Sequence, residues 1–432
     1  MSRVFIETVG CPKNQEDSER MAGLLAAAGH EIVFGPAEAD VLVVNTCGFI
    51  EAAKRESIDT IFEYLAFKEE GKLFVVTGCL AQRYPDELRE ELPEADAILG
   101  VSEYGKLPGI IDELKLEGNA SPPVRFALSP RFSSYLKIAE GCSNRCAYCV
   151  IPDIRGPYRS VPMEQLLEEA EILAAEGCRE LIIVAQDVTM YGKDLCGEYM
   201  LPELLRRLCA PGAAQGIEWI RLLYCYAERV TDELIEVMAT EPKILKYIDI
   251  PLQHVSGRLL ESMRRPGSAE SIRNTIGRLR AAMPDIVLRT TFITGLPGET
   301  ENDFVELYDF VEETRFDRLG IFTYSAEEGT DAAMMPDQVD SETAEARRDA
   351  LMRLQQQISL ENNERLTGTV QDVLVCGKDA EDIYVGRTRG DAPEIDGEVI
   401  FEAAGTDDGI IGTLVKVRIT DALDYDLVGE IV

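Results

Sequence analysis

The stretch Gly141-Cys142-Ser143-Asn144-Arg145-Cys146-Ala147-Tyr148-Cys149 sets three cysteines at the spacing C-x3-C-x2-C on what reads as a single loop. Thiolates are the natural ligands of iron–sulfur clusters, and three of them can hold three corners of a cuboidal cluster. No fourth ligand follows nearby: the next cysteine is Cys178, and the two histidines of the chain are His30 and His254. Three ligands leave one metal corner free to bind something else. Zinc is the alternative, but structural zinc is four-coordinate and catalytic zinc leans on histidine.

The elements that must position further ligands come before this loop. Over residues 1–118, strand-like runs at 3–9, 40–44 and 72–76 alternate with helical runs at 15–28, 58–65 and 85–92. Apolar strands alternating with helices predict a doubly wound parallel sheet. Three of the strands run into Gly10-Cys11, Asn45-Thr46-Cys47 and Gly78-Cys79. The carboxyl ends of parallel strands share one edge, where ligands bind. Cys11, Cys47 and Cys79, 36 and 32 residues apart, are therefore expected to converge as a second three-thiolate set. Cysteine is also a good small core residue; the reading rests on three of them at equivalent strand ends.

Residues 119–130, with Pro122-Pro123 and Pro130, read as a linker. A strand over 134–140 delivers the Cys142 loop. Further strand-like runs at 180–185, 219–223, 247–250, 286–292 and 318–322 are separated by amphipathic helical stretches at 163–175, 201–209, 231–239, 256–264, 269–282 and 301–313. Six strand–helix units predict an open or partial (β/α)6 barrel over 128–364, with its active site at the strands' carboxyl ends. A long polar helix, 341–364, closes this part. Several strand ends are polar or glycine-rich: Gln186-Asp187, Pro251-Leu252-Gln253-His254, and Ile293 to Thr300 with Gly295. They could grip a cofactor's polar atoms, or serve turn geometry and helix capping, for which Thr300 is suited. His254 is assigned no catalytic role, and Cys178, Cys196, Cys209, Cys225 and Cys376 read as packing or incidental thiols.

The chain of 432 residues is 46% apolar and 28% charged, the composition of a folded globular protein. Met1 to Ile6 runs directly into a strand pattern, so no signal peptide is expected. No apolar run is long enough for a membrane helix. Eleven cysteines in such a chain point to metal or redox use in a reducing cytoplasm. The net charge of −35 opposes nucleic-acid backbones and favours basic partners. A local exception surrounds the cysteine loop: between Ser121 and Ser160, Arg125, Arg131, Lys137, Arg145, Arg155 and Arg159 face only Glu140 and Asp153. Anionic clusters, a cofactor carboxylate or an acidic substrate side chain are the natural counter-charges. Residues 366–432 change character, with short alternating strands at 370–375, 383–388, 398–402 and 413–420 that predict a small antiparallel β-barrel. Fifteen acids against five basic residues give this tail the wrong sign for RNA.

The Cys142–Cys149 stretch resembles the signature of the radical S-adenosylmethionine (SAM) enzymes. With the three strand-end cysteines, the chain is similar to the methylthiotransferases of that superfamily. The resemblance implies two 4Fe–4S clusters. Cys142, Cys146 and Cys149 would hold the one whose open iron chelates SAM. Cys11, Cys47 and Cys79 would hold the one that handles the inserted sulfur. It also implies cofactor contacts at Tyr148, Gln186, Asp187 and Gly295, and a terminal TRAM domain. The stretches Tyr247 to His254 and Asp391 to Gly397 resemble the subgroup whose substrate is an aspartate in the strongly basic ribosomal small-subunit protein twelve. In that chemistry a 5′-deoxyadenosyl radical takes a hydrogen from the β-carbon, which then couples to a methylated sulfur. A second SAM is the methyl donor, and sulfur and electron donors are needed. The alternatives are the same chemistry on a tRNA adenosine, and a non-catalytic iron–sulfur carrier or scaffold.

Overall fold

The computed structural model describes all residues except 69–70, 116–127, 129 and 406–407. The linker expected over 119–130 lies outside the described residues, apart from Leu128 and Pro130.

The amino-terminal sheet is parallel, in the order Glu31–Ile32, Arg3–Thr8, Val41–Thr46, Leu73–Gly78, Ala97–Gly100. Every residue of Val41–Thr46 is buried, as a strand covered on both faces must be. On one face Met21 and Leu25 of the helix Pro12–Ala27 pack with Leu107 and Ile111. On the other, Ile61 of Glu51–Leu65 packs with Leu42 and Phe74. The two edge strands, two and four residues long, carry too little pattern to be read in advance.

The central sheet has six parallel strands in chain order: Ser133–Lys137, Glu180–Val184, Trp219–Leu222, Ile244–Gln253, Val287–Thr294 and Arg318–Thr323. The first and last do not pair, so the barrel is partial. Helices at Met163–Ala175, Leu201–Cys209, Asp232–Thr240, Gly257–Ser262, Ala269–Ala282 and Glu301–Thr314 cover its outside. Thr300 caps the last of these, its hydroxyl accepting from the Asp303 N–H while the Asp303 carboxylate accepts in return. The helix Ser341–Glu364 lies beside the final strands, burying Ala344, Leu351 and Ile358.

The tail is a closed barrel of five strands in the order Val370–Ala380, Ile383–Thr388, Val399–Glu402, Leu427–Ile431, Leu414–Ala422. Only four strands are legible in the sequence. The fifth changes the pairing: Val399–Glu402 and Leu427–Ile431 run parallel, while the other four pairs are antiparallel. A closed ring with an odd number of strands cannot alternate direction all the way round, so one parallel pair is obligatory.

This barrel stops the amino ends of the six central strands. Glu180, at the start of the second, is bracketed by Arg221 and by Arg387 of the tail. Asp396 accepts from the Tyr247 hydroxyl at 2.7 Å and pairs with Arg289, and Asp391 pairs with Arg318. The amino-terminal sheet sits at the opposite, carboxyl ends. There Lys137 and Arg155 of the central part meet Glu16 and Asp17, and Arg20 meets Glu169.

Candidate active site

Each amino-terminal cysteine is placed where a strand hands over to a helix. Cys11 is the N-cap residue of Pro12–Ala27, with proline at the first helical position. Cys47 follows Val41–Thr46, and Ser57 fixes it by accepting from its N–H and donating to its carbonyl, both at 2.9 Å. Cys79 opens a short helix directly after Gly78. Gly78 has φ +99°, and a Cβ there would lie 2.4 Å from the Thr46 carbonyl oxygen, so only glycine lets these two strand ends close up. Asn14 ties the group together. Its amide donates to the Thr46 carbonyl at 2.9 Å, its own carbonyl accepts from Asn45, and its Oδ1 lies 3.5 Å from the Cys11 sulfur.

The second set is held by its own loop. The Cys142 N–H donates to the Gly156 carbonyl at 3.0 Å, and Ser143 accepts from the Tyr158 N–H. Asn144 donates to Asp187 at 2.9 Å and accepts from Arg229 at 2.8 Å, while Arg229 pairs with Asp187. The Cys146 sulfur lies 3.7 Å from the Tyr226 hydroxyl. Arg265 stacks over the same ring, 3.8 Å from its centroid, and donates to the Pro251 carbonyl.

All six cysteines line one mostly apolar cavity of about 410 Å³, together with Tyr148 and Gln186. Asp187 and Gly295 are not among its lining residues. Asp187 is committed to Asn144, Arg229 and Thr189. The Gly295 N–H donates to Glu299 at 2.6 Å, and a Cβ on Gly295 would strike Ala344 at 2.4 Å. None of the eleven cysteines is disulfide-bonded. Among the described residues no three His, Cys, Asp or Glu side chains gather closely enough to hold a single metal ion.

Burial dominates the electrostatics of these thiols. It raises Cys47 and Cys149 to about 12, helped by neighbouring cysteines, and Cys79 to about 11 against the opposing charge of Arg155. Burial also lifts Cys11, but Lys13 and Arg155 outweigh it and hold that thiol below its usual value. A metal at such sites displaces the protons, so loading depends on pH.

Several residues of the cavity escaped the sequence reading. Lys13 and Asn14 stand next to Cys11 in the chain. Tyr224 and Tyr226 follow the third strand as Gln186 follows the second, a position the strand-end rule could have picked out. Tyr224 (φ +63°) and Gln253 (φ +71°) both hold left-handed backbone conformations unusual for their residue types. Lys13 is only 7% exposed, and its ammonium lies 3.6 Å from the centroid of the Tyr224 ring.

The basic residues around the loop divide in their roles. Lys137 is consumed by Glu16, Asp17 and Glu140. Arg155 pairs with Asp17 and Glu140 but also reaches the Cys79 sulfur. Arg125 lies outside the described residues. His254 is fully buried, its Nδ1 accepting from the Ser256 N–H at 3.0 Å, a structural placement. No helix among the described residues is long and apolar enough to cross a membrane.

Three family models match the chain: the uncharacterized protein family UPF0004 over residues 3–100, the radical SAM superfamily over 136–311, and the TRAM domain over 367–432. Solved structures with similar folds include the radical S-adenosylmethionine methyltransferase TsrM from Kitasatospora setae, with cobalamin and a [4Fe–4S] cluster bound. It has a TM-score of 0.57 and 15% identity, over 86% of this chain and 81% of that one. The cobalamin-dependent SAM radical enzyme OxsB, with aqua-cobalamin and SAM bound, has a TM-score of 0.52 and 16% identity over 83% and 56%. Both likenesses are of fold. Much nearer in sequence are the ribosomal protein uS12 methylthiotransferases RimO of Desulforamulus reducens (48% identical, 100% of both chains), an Anaeromyxobacter species (49%, 100% of this chain and 93% of that one) and Clostridioides difficile (45%, 100% and 99%). At such identity over the full length, the chain belongs to the RimO family of radical SAM methylthiotransferases.

Proposed function

We propose that the chain inserts a methylthio group at the β-carbon of an aspartate in ribosomal protein uS12, the protein named as substrate of its relatives. The observation that carries this reading is the sharing of one cavity by both three-cysteine sets. Sulfur insertion into an unactivated C–H bond needs a hydrogen-abstracting centre and a sulfur-bearing centre around the same carbon.

The donor sets fit the implied groups. Each supplies three free thiols and no histidine. Gln186 lines the same cavity and has a buried Oε1 with no hydrogen-bond partner, as a residue awaiting a polar ligand would. Cys142, Cys146 and Cys149 would hold a 4Fe–4S cluster that binds SAM, and Cys11, Cys47 and Cys79 a second one. When bound, these groups supply homolytic removal of a hydrogen atom and the methylated sulfur that replaces it.

The chain's own residues bind, aim and exclude water. Tyr148 and Gln186, which line the cavity, would grip a cofactor's adenine and polar atoms; Asp187 would act on the loop through Asn144 and Arg229, and Gly295 through the turn it permits. Phe49, Ile50, Ile293 and Phe322 give the cavity apolar walls. Three functional units, 1–118, 128–364 and 366–432, divide the work. The acidic tail favours a strongly basic protein partner over RNA, and the site of action is the cytoplasm, where sulfur and electron donors are at hand.

The test is anaerobic. Reconstituted enzyme with SAM, sulfide and a reductant is offered uS12 and bulk tRNA in parallel, and mass spectrometry looks for one added methylthio group. A gain on an aspartate of uS12 alone is the expected result. A gain on tRNA alone would overturn the substrate. Cofactor cleavage with neither product would leave only the enzyme class.

A further inference from the structure

The chain has 78 acidic residues and 43 basic ones. In so acidic a protein, a buried cation finds a carboxylate easily, and most here do: Lys137, Arg155, Arg221, Arg289, Arg318, Arg347 and Arg387 are all paired with Asp or Glu, while Arg265 rests on the Tyr226 ring and the Pro251 carbonyl. Lys13 likewise lacks a carboxylate. It is more than nine-tenths buried and lines the cavity, and among the described residues no carboxylate pairs with it. Its ammonium lies over the face of Tyr224 and favours the thiolate of Cys11. A buried ammonium without an anion is costly, and a ring face compensates it only in part.

The surroundings hold Lys13 for something that enters. Tyr224 has a left-handed backbone, and its N–H donates to the buried carboxylate of Asp249 at 3.0 Å. Lys13 lies in the first turn of the sixteen-residue helix Pro12–Ala27, whose amino end adds further positive potential. The cavity therefore offers an anion a positive charge two residues from Cys11, besides those of Arg155 and Arg265, which also line it.

We infer that Lys13 recognises the carboxylate of the target aspartate. This rests on the uS12 reading above. The β-carbon of aspartate is bonded directly to its carboxyl carbon. Any pose that brings the β-carbon to sulfur held beside Cys11 also brings the carboxylate within reach of the residue two positions along. One ammonium then does two things. It fixes the target side chain by a charge-assisted hydrogen bond, and it repels the Lys and Arg side chains in which a basic ribosomal protein abounds. Asparagine, of the same shape but uncharged, is the natural competitor it rejects.

The experiment compares reconstituted wild-type enzyme, K13Q and K13R, with SAM present and reductant withheld. Fluorescence anisotropy measures the Kd of labelled uS12 and of uS12 carrying Asn at the target aspartate. Iron content and the EPR spectrum of the dithionite-reduced enzyme are read on the same samples. Wild type is expected to favour the Asp form by roughly tenfold or more, the scale of a hydrogen bond to a charged group. K13Q should bring that ratio close to one with its iron retained, and K13R should keep most of it. A ratio that persists in K13Q overturns the inference, as does a wild-type ratio of one in an enzyme that still modifies uS12. Loss of iron or of one EPR signal in K13Q also overturns it, by making Lys13 a support of the cluster site. Failure of the wild-type enzyme to modify uS12 would take down the substrate reading itself, and this inference with it.

Discussion

Arg155, six residues beyond Cys149, places its Nη2 3.4 Å from the sulfur of Cys79. The same guanidinium donates to Asn14 at 3.2 Å, Asp17 at 3.0 Å and Glu140 at 3.2 Å. One side chain thus joins the helix after the loop of one cysteine set to the other set and to the sheet that carries it.

Arg155→Met should loosen this junction. It removes a fully desolvated cation and leaves Asp17 and Glu140 to share Lys137, an imbalance that costs about 3–5 kcal/mol for a broken buried pair. Arg155→Lys keeps the charge without the planar fork, and should recover only part of the loss. Urea denaturation of the two variants checks this; a change below about 1 kcal/mol in the Met variant would place the junction's strength elsewhere.

The two cysteine sets should separate by function. Cys146→Ala is expected to abolish reductive cleavage of SAM, whereas Cys47→Ala should retain cleavage and stop sulfur insertion. Chromatographic detection of 5′-deoxyadenosine, alongside mass spectrometry of uS12, reads both activities at once. Methylthiolated product from the Cys47 variant would mean that the strand-end set does not carry the sulfur.

The tail should come away on loss of Arg387. Burial favours the neutral form of Glu180, but Arg387 and Arg221 overcome it and hold the carboxyl at about 2. A depressed carboxylate stabilises fully above its unfolded value of about 4.3 and loses that contribution as pH falls toward 2. Docking in the wild type should therefore be unchanged down to about pH 5 and weaken below pH 4. Arg387→Ala should weaken it already at pH 7, by about 3–5 kcal/mol. Hydrogen exchange in 370–380 and 383–388 distinguishes local release of the tail from global unfolding.

His254 should make its own contribution at mildly acidic pH. Burial holds it neutral, lowering its pKa to about 4. The unfolded chain takes up this proton near pH 6.5 while the folded one does not, so stability falls as pH drops from about 6.5 to 4 and levels off below. The slope approaches 1.4 kcal/mol per pH unit for one proton. His254→Gln should flatten this part of the profile in urea titrations between pH 7 and 5; an unchanged slope would assign it to other groups.

How much of this was legible in the sequence depends on the range of the physics involved. The convergence of the six cysteines on one cavity was legible because spacing and the common edge of a parallel sheet are local or topological rules. The three-part order and the helices, down to Ser341–Glu364, followed from periodicity. The fifth tail strand was not, because Leu427–Ile431 is short and carries Gly429, where a Cβ would meet Val417 at 2.5 Å. The fates of the cations were hidden too. Lys137 and Arg155 look like counter-charges for the loop they flank, but their partners Glu16 and Asp17 lie more than a hundred residues upstream. Gly295 likewise reads as a cofactor turn, and its close neighbour Ala344 lies on a helix 49 residues away in the chain.

The tail rests on the amino ends of the central strands, and the six cysteines lie off their carboxyl ends. An eight-residue strand such as Val287–Thr294 covers about 26 Å at the usual rise. A molecule that touched both the tail and the cavity would have to bridge that distance, which a folded protein can do in one piece and a short peptide cannot.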